Sequence, residues 1–222
     1  MLLSITTEIT PTAWILASIA TFIIGLSKAG IKGIAVLNVT IMALAFGAKQ
    51  STGMVVPLLI LADIFAVIYY NRYTQWKYVF KVLPWMIFGL VIGVFVGNEM
   101  PEKFFKIGMM FYWDRKKDKN VPSHWTFAGS IGTIAGITTM VGNLAGAFSN
   151  IYFLAMRLPK NHFIGTAAWL FLIINIIKLP FHFFVWKTIT LESLTLNLML
   201  LPGILLGFFV GIRFIKHIKE AF

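Results

Sequence analysis

The sequence predicts an all-α membrane protein, a bundle of transmembrane helices built as two homologous repeats. Three observations lead to this prediction: the composition, the recurrence of membrane-length apolar runs, and glycine-rich segments that recur after half the chain. Of the 222 residues, 59% are hydrophobic and 12% are charged, whereas soluble domains carry roughly 25% charged residues. So few charged groups cannot cover a water-soluble fold, and we expect lipid to surround most of the chain.

Apolar runs long enough to cross a roughly 30 Å hydrocarbon layer recur along the whole chain. Glycines, prolines and charged residues mark their ends. The helices that this pattern predicts lie near residues 12–27, 33–47, 52–70, 82–98, 125–141, 143–156, 162–186 and 194–212. The second and sixth are short for a full crossing and bounded by glycine, which favours half-helices or re-entrant segments. A further apolar stretch, 103–113, is too short to cross alone.

Lysine and arginine outnumber acidic residues by 19 to 8, giving a net charge of +11. They lie between the apolar runs rather than on one face, which argues against nucleic acid as a partner. Since Lys and Arg favour cytoplasmic loops, the basic loops should be cytoplasmic and the neutral or acidic ones outside. The loops predicted to be cytoplasmic are 71–81, 114–123 and 157–161 with the C-terminus, and those predicted outside are 98–102 and 188–193. We therefore expect a multi-pass protein of the plasma (bacterial inner) membrane.

Several kinds of chemistry are excluded by what the sequence lacks. There is no cysteine, so disulfides, thiolate nucleophiles and cysteine metal sites are ruled out. The histidines lie near predicted helix ends without metal-ligand spacing, at positions 124, 162, 182 and 217, and interfacial packing accounts for them. No phosphate-binding loop, dinucleotide fingerprint or nucleophile motif occurs. We expect no catalytic residue, metal or cofactor, because an intramembrane enzyme would need a convergent acid–base or metal constellation.

An internal repeat is the most informative feature of the chain. A single membrane domain, 1–222, divides into repeat one at 12–113 and repeat two at 124–222, related by an offset of about 111 to 114 residues. The glycine-rich segment 25–33 corresponds to 136–146. Inverted repeats of this kind are common in secondary transporters, which bind substrate near the bilayer midplane where the repeats meet.

The glycine clusters predict breaks in the membrane helices. Lipid tolerates such breaks only where the backbone is buried in protein or lines a cavity, and the N–H groups that begin the next half-helix can bind an anion there. The residues assigned to this substrate site are Gly25, Ser27, Lys28, Gly30, Lys32, Gly33, Thr138, Thr139, Gly142, Asn143 and Gly146. The alternative is that glycines only permit close helix packing. That interpretation is given to Gly89, Gly93, Gly97, Gly203, Gly207 and Gly211.

Asp63 lies in the middle of a long apolar run, and its counterpart in repeat two is Asn175. A carboxylate at membrane depth is expensive unless it is protonated, paired or hydrated. Asp63 is therefore a candidate for carrying a coupling proton or for pairing with a lysine. Lys178, one turn beyond Asn175, is the candidate partner; the alternative is that Pro180 ends the helix and the ammonium reaches the interface.

Two segments in register resemble a known family. Gly25-Leu-Ser-Lys-Ala-Gly-Ile-Lys-Gly33, and 136–146 followed by Met-Arg-Leu-Pro-Lys at 156–160 and Ile-Gly-Thr-Ala-Ala-Trp at 164–169, resemble the TauE/SafE family of sulfite exporters and related permeases over nearly the whole chain. Family members commonly have prolines where this chain has Asn38 and Ala147. They also have a longer helix from position 103 and a further C-terminal helix, so the chain resembles a shortened member.

The resemblance implies a secondary transporter of small anions, such as sulfite, sulfonates or related organic anions, driven by an ion or potential gradient. Its partners would be the lipid bilayer and the anionic substrate. The alternative is a non-transporting membrane subunit or assembly factor whose glycine faces bind partner helices. Assembly into a homodimer is left open by the sequence, as are the direction of transport and the coupling ion.

Overall fold

The structure, a computed structural model, describes residues 9–31, 33–98 and 125–217. Within these ranges the chain is helical and contains no strand. The α-helices are α1 (Pro11–Lys28), α2 (Ala35–Phe46), α3 (Ala48–Tyr70), α4 (Trp76–Asn98), α5 (Trp125–Gly142), α6 (Ala145–Ala155), α7 (Lys160–Pro180) and α8 (Leu191–His217). All eight predicted helices are therefore confirmed, as is the all-α class. The predicted stretch 103–113 and loop 114–123 lie outside the described residues.

Five helices, α1, α3, α4, α7 and α8, are long and apolar enough to cross a membrane. The helices α2 and α6 are shorter, at 12 and 11 residues, as expected for half-helices. Large apolar side chains such as Ile68, Phe95 and Phe209 are exposed on the outer faces. Such surfaces are rare on soluble proteins and suit contact with lipid. The chain is a multi-pass integral membrane protein.

Two predicted helix boundaries are wrong. Helix α4 begins at Trp76 rather than 82, so the predicted loop 71–81 is reduced to 71–75. Helix α8 extends over Leu191–His217 rather than 194–212. Most of the missed residues at 76–81 and 213–217 are aromatic or basic, and such residues remain helical at the membrane surface while their polar ends reach water. Charge therefore marked the edge of the membrane rather than the end of the helix.

Glycines bring two pairs of helices into close contact. Helix α1 packs on α8, and α4 packs on α5. A Cβ on Gly25 would overlap the carbonyl oxygen of Ile204 in α8, and a Cβ on Gly136 would overlap that of Met86 in α4. The first helix of each predicted repeat thus packs on the last helix of the other repeat, backbone against backbone. This reciprocal packing frames the centre of the bundle.

Both predicted breaks are present, but they differ in construction. Between α1 and α2, Gly30 and Gly33 have φ of 119° and 87°, values that favour glycine. Between α5 and α6, the residue with positive φ is Asn143, at 55°. Asparagine tolerates the left-handed conformation better than most residues. The neighbouring Gly142 and Gly146 lie inside α5 and α6, so these two glycines do not make the second turn.

Pro180 is the last residue of α7, but the helical backbone does not stop there. The helix continues into a π turn, Phe181–Val185, before the chain reverses at 186–190 to enter α8. Such turns occur frequently at functional sites. Lys178 therefore lies within the helical segment, where its side chain is fully buried. The alternative in which this ammonium extends to the membrane interface is wrong.

Candidate functional site

A cavity of about 100 Å³ lies in the centre of the bundle, lined by residues of both helix breaks. Since one water needs roughly 10–15 Å³ by this kind of measure, the cavity has room for several waters or a small anion. The predicted site residues that line it are Ser27, Lys28, Gly30, Gly33, Thr139, Asn143, Gly146 and Asn175. The structure thus brings the two glycine-rich segments to one cavity.

Three described residues of the predicted substrate site, Gly25, Thr138 and Gly142, do not line the cavity, and neither do Asp63 and Lys178. Gly25 packs against α8 instead. The Thr138 hydroxyl donates to carbonyls of its own helix, those of Ile134 and Ala135. Gly142 is the buried last residue of α5 and is not among the lining residues. Lys32 lies outside the described residues.

Asp63 pairs with Lys28, not with Lys178. Lys28 is the last residue of α1, and its ammonium nitrogen lies 2.6 Å from Asp63 Oδ1. The Asn175 amide nitrogen Nδ2 donates to Asp63 Oδ2 at 2.7 Å. The carboxylate is fully buried, while the Lys28 side chain is 14% exposed and lines the cavity. The predicted Asp63–Lys178 pair is wrong because α3 brings Asp63 to the end of α1. Asp63 and Asn175, the predicted repeat counterparts, touch each other directly.

Lys178 is held by neutral groups on the second break. Its ammonium donates to the carbonyl and the hydroxyl of Thr139, each at 3.3 Å, and to Asn143 Oδ1. The Asn143 amide in turn donates to the carbonyl of Thr52 at 2.9 Å. The three N–H groups of the Lys178 ammonium thus have three acceptors. No carboxylate bonds to Lys178 in the described part of the chain. Thr139 and Asn143, which bond to the Lys178 ammonium, line the cavity, whereas Lys178 itself does not.

Among the described residues, lysines outnumber carboxylates around the cavity. Lys28 pairs with Asp63, while Lys178 bonds to neutral acceptors. Uncompensated charge at membrane depth is unfavourable by several kcal/mol in the absence of water or a counterion. When both lysines are protonated and Asp63 is ionised, an anion with one negative charge neutralises the cluster. The arrangement therefore favours anions over cations.

Two helix N-termini add to this preference. Gly33 and Ala35 line the cavity where α2 begins, and Ala145 and Gly146 line it where α6 begins. The first N–H groups of a helix have no acceptor within the helix, and the helix dipole makes this end partly positive. The two half-helices thus point their positive ends at the same small space.

Two asparagines of the cavity wall were not among the predicted site residues. Asn38 in α2 and Asn150 in α6 both line the cavity. Asn38 is buried, its amide donates to the Ala35 carbonyl at 2.7 Å, and its Oδ1 has no partner among the described residues. A signal was available: the two asparagines are 112 residues apart, the same separation as Asp63 and Asn175.

The opposite wall of the cavity is apolar. Phe163, Ile164 and Phe171 of α7 line it together with Val39 and Leu59. The Phe171 ring also lies under the Lys28 ammonium, 4.8 Å from its centroid, in a cation–π contact. The cavity therefore combines a polar, cationic side with an apolar side.

His182 does not lie at the membrane interface, where the sequence placed the histidines. It is fully buried in the π turn, with Nδ1 2.9 Å from the Thr188 hydroxyl. In contrast, His217 is exposed near the end of α8. Within the part of the chain that the structure describes, no three His, Cys, Asp or Glu side chains lie close enough to hold a metal ion.

Comparison with known proteins gives one match. The sequence model of the family described as "Sulfite exporter TauE/SafE" matches residues 16–222, nearly the whole chain. No curated protein and no solved structure matches the chain.

Proposed function

Because the chain belongs to the TauE/SafE sulfite exporter family, whose members are membrane transporters, we propose that it carries sulfite, sulfonates or related small anions across the plasma membrane. It acts as a secondary transporter, and the central cavity is its substrate site. No ATP-binding motif occurs in the sequence, so the energy comes from an ion or potential gradient. The non-enzymatic role remains a prediction.

The unbalanced positive charge is the observation that supports this proposal most strongly. Lys28 has its own counterion in Asp63, whereas the acceptors of Lys178 among the described residues are all neutral. A substrate oxyanion beside Thr139 and Asn143 lies one side chain away from the Lys178 ammonium. The hydroxyl, amide and helix N-terminal N–H groups around the cavity supply the hydrogen bonds that replace its hydration.

Lys28 and Asp63 have a different role in the proposal. Lys28 lines the cavity and can contact substrate directly, while Asp63 and Phe171 fix its position. Asp63 is also the group that can take up a proton when the substrate anion draws Lys28 away. Removal of Lys28 is therefore expected to affect both binding and the state of Asp63.

The test is a flux measurement in proteoliposomes with radiolabelled sulfite, sulfate and a short-chain alkanesulfonate. We expect exchange of sulfite or the sulfonate across the membrane, and loss of at least ten-fold in exchange rate for Lys28→Met. The exposed lysine Lys187 provides a matched control, since Lys187→Met changes a charge far from the cavity wall. Absence of exchange for every anion in a correctly inserted protein would overturn the proposal.

The alternative, a non-transporting subunit that binds partner helices through its glycine faces, has less support. Gly25, Gly89, Gly136 and Gly207 already contact helices of the same chain. Their packing surfaces are therefore occupied without a partner.

The proposed orientation places the C-terminus and the basic loops in the cytoplasm. The native chain has no cysteine, so a single cysteine can be introduced at any position. We expect Asp118→Cys to resist an impermeant thiol reagent in intact cells and to react after permeabilisation. Labelling of intact cells would reverse the orientation.

A further inference from the structure

The two helix breaks are bonded to opposite ends of α3. At the last residue of α3, the Tyr70 hydroxyl donates to the Ala29 carbonyl beside the first break at 2.9 Å. Near the start of α3, the Thr52 carbonyl accepts a hydrogen bond of 2.9 Å from the Asn143 amide at the second break. Since a helix rises about 1.5 Å per residue, Thr52 and Tyr70 are about 27 Å apart, close to the roughly 30 Å of the hydrocarbon layer. The central cavity therefore lies between two breaks that approach opposite membrane surfaces.

Neighbouring contacts assign each break to one side of the membrane. Thr188, in the turn before α8, lies against Gly53 at the start of α3, so this turn and the second break share one end of the bundle. At the other end, the Thr74 hydroxyl in the loop after α3 donates to the Gly165 carbonyl in the first turns of α7 at 3.3 Å. In the proposed orientation the end with Thr74 is cytoplasmic. The end that holds the second break is then the outer end of the cavity.

The two ends of the cavity differ in exposure. Beside the first break, the Lys28 side chain is 14% exposed and Gly33 is exposed. Beside the second break, Thr139 and Lys178 are buried, and so is Thr188 in the turn at that end. The cavity is thus partly exposed at its cytoplasmic end and covered at its outer end.

At the covered end, the Asn143 side chain connects the second break to two helices. Its Oδ1 accepts a hydrogen bond from the Lys178 ammonium of α7, and its Nδ2 donates to the Thr52 carbonyl of α3. The Asn143 N–H donates to the Thr139 carbonyl at 3.1 Å, which joins the same residue to α5. An amide suits this position because it carries both a donor and an acceptor. One side chain therefore ties the tip of the break to α3 and α7.

We propose that Asn143 is the positioning residue that holds the central cavity closed at its outer end. Movement of the second break away from α3 and α7 would break both side-chain bonds of Asn143 and uncover the cavity on that side. The inference rests on the proposed function, because a transport site has to reach the two sides of the membrane in turn. Asn143 itself lines the cavity, so the closure lies directly beside the substrate site.

The test measures from which side of the membrane the cavity can be reached. The chain has no cysteine, and Leu59→Cys places a single thiol in the cavity wall, near the middle of α3. A small, impermeant thiosulfonate reagent is applied to right-side-out and to inside-out membrane vesicles in the absence of substrate. We expect the Leu59→Cys protein to react faster from the cytoplasmic side than from the outside.

Addition of Asn143→Gly should change this pattern on one side. Glycine accepts the positive φ of position 143 and removes both side-chain bonds. We expect the labelling rate from the outside to rise about ten-fold, equivalent to about 1.4 kcal/mol in the opening equilibrium, and the rate from the cytoplasmic side not to rise.

Asn197→Ala is the matched control. The Asn197 amide also donates to a carbonyl of α3, that of Met54 at 2.9 Å, but it comes from α8 rather than from a break. This variant should leave labelling from the outside unchanged. No rise from the outside in Asn143→Gly, or an equal rise in Asn197→Ala, overturns the closure.

A second variant covers the case in which Asn143→Gly does not insert. Lys178→Met removes one of the two bonds of the Asn143 side chain, so labelling from the outside should rise, by less than in Asn143→Gly. Lys187→Met, at an exposed lysine, should leave it unchanged. No rise in Lys178→Met, or the same rise in Lys187→Met, overturns the closure.

The labelling test needs no transported anion, so the two proposals can fail separately. Sulfite exchange in proteoliposomes together with labelling that does not depend on Asn143 overturns the closure and leaves anion transport standing. Labelling that depends on Asn143 in a protein that exchanges no anion overturns transport and leaves the closure standing.

Discussion

The first helix break turns on two glycines and follows a lysine paired with a carboxylate, whereas the second turns on an asparagine bonded to a lysine that has no carboxylate partner among the described residues. Lys28 and Asp63 form the first pair, and Asn143 and Lys178 the second. Both breaks line one cavity. The two breaks thus border the same cavity but differ in how their lysines are paired. When both lysines are protonated and Asp63 is ionised, that difference leaves the cavity positive.

The largest expected effect concerns the two lysines, whose removal should change the stability of the protein by very different amounts. Lys28→Met leaves Asp63 buried without its cation, and breaking a buried pair in this way costs about 3–5 kcal/mol. Lys178→Met removes an ammonium that has no carboxylate partner, so we expect the free energy of unfolding to change by less than about 1 kcal/mol. Reversible unfolding in detergent micelles measures both.

The double variant Lys28→Met with Asp63→Asn should recover most of the stability lost in Lys28→Met, because no buried charge is then left without a partner. Lys178→Met combined with Asp63→Asn should show no such recovery. Equal destabilisation by the two single lysine variants would contradict the assignment of Asp63 to Lys28.

A smaller effect is expected when the second break is given its own carboxylate. Asn143→Asp places a negative charge beside the Lys178 ammonium and removes the positive excess around the cavity. We expect sulfite affinity to fall about ten-fold, equivalent to about 1.4 kcal/mol, with no loss of stability. Calorimetric titration of the purified protein with sulfite measures the change. Asn143→Gly keeps the turn and the charge excess, so its affinity should fall less; equal or tighter binding by Asn143→Asp would contradict the charge argument.

A further pair of variants separates the backbones of the two breaks. In Gly30→Ala the new methyl group would overlap Ile164 Cδ1 at a φ of 119°, which should cost about 1–3 kcal/mol. In Gly146→Ala the nearest atom is Phe171 Cζ at 3.8 Å, and alanine favours the helix by about 0.5–1 kcal/mol. Melting temperatures should therefore fall for the first variant and hold or rise for the second. Gly30→Leu, which fills the cavity, should abolish exchange.

Much of the site followed from the sequence because its signals are local. Gly30 and Gly33 interrupt an apolar run, so they mark a break that lipid permits only in a protein interior. Asp63 is conspicuous for the same reason, as a carboxylate within a membrane-length run. The repeat offset pointed to the second break, with Asn143, and to Asn175. A search for asparagines separated by the same offset would also have found Asn38 and Asn150.

The errors arose where the answer depends on distant parts of the chain. Lys178 was favoured as the partner of Asp63 because it lies one turn from Asn175, yet the end of α1 brings Lys28 closer. The sequence allowed the helical segment to end at Pro180. In the structure a π turn follows Pro180 instead, and His182 is buried in that turn. Neither outcome is visible in local spacing, since each depends on how helices far apart in sequence cross.

The sequence by itself determined that lipid surrounds this protein, where its helices and its two helix breaks lie, and which residues approach the cavity. These features follow from apolar length and glycine placement, which act within about twenty residues of chain. Only the tertiary structure decided which lysine pairs with Asp63, which lysine bonds to neutral acceptors among the described residues, and that His182 is buried. Those outcomes depend on distances of a few ångströms between α1, α3, α5 and α7, and the packing of the helices at Gly25 and Gly136 helps to set them.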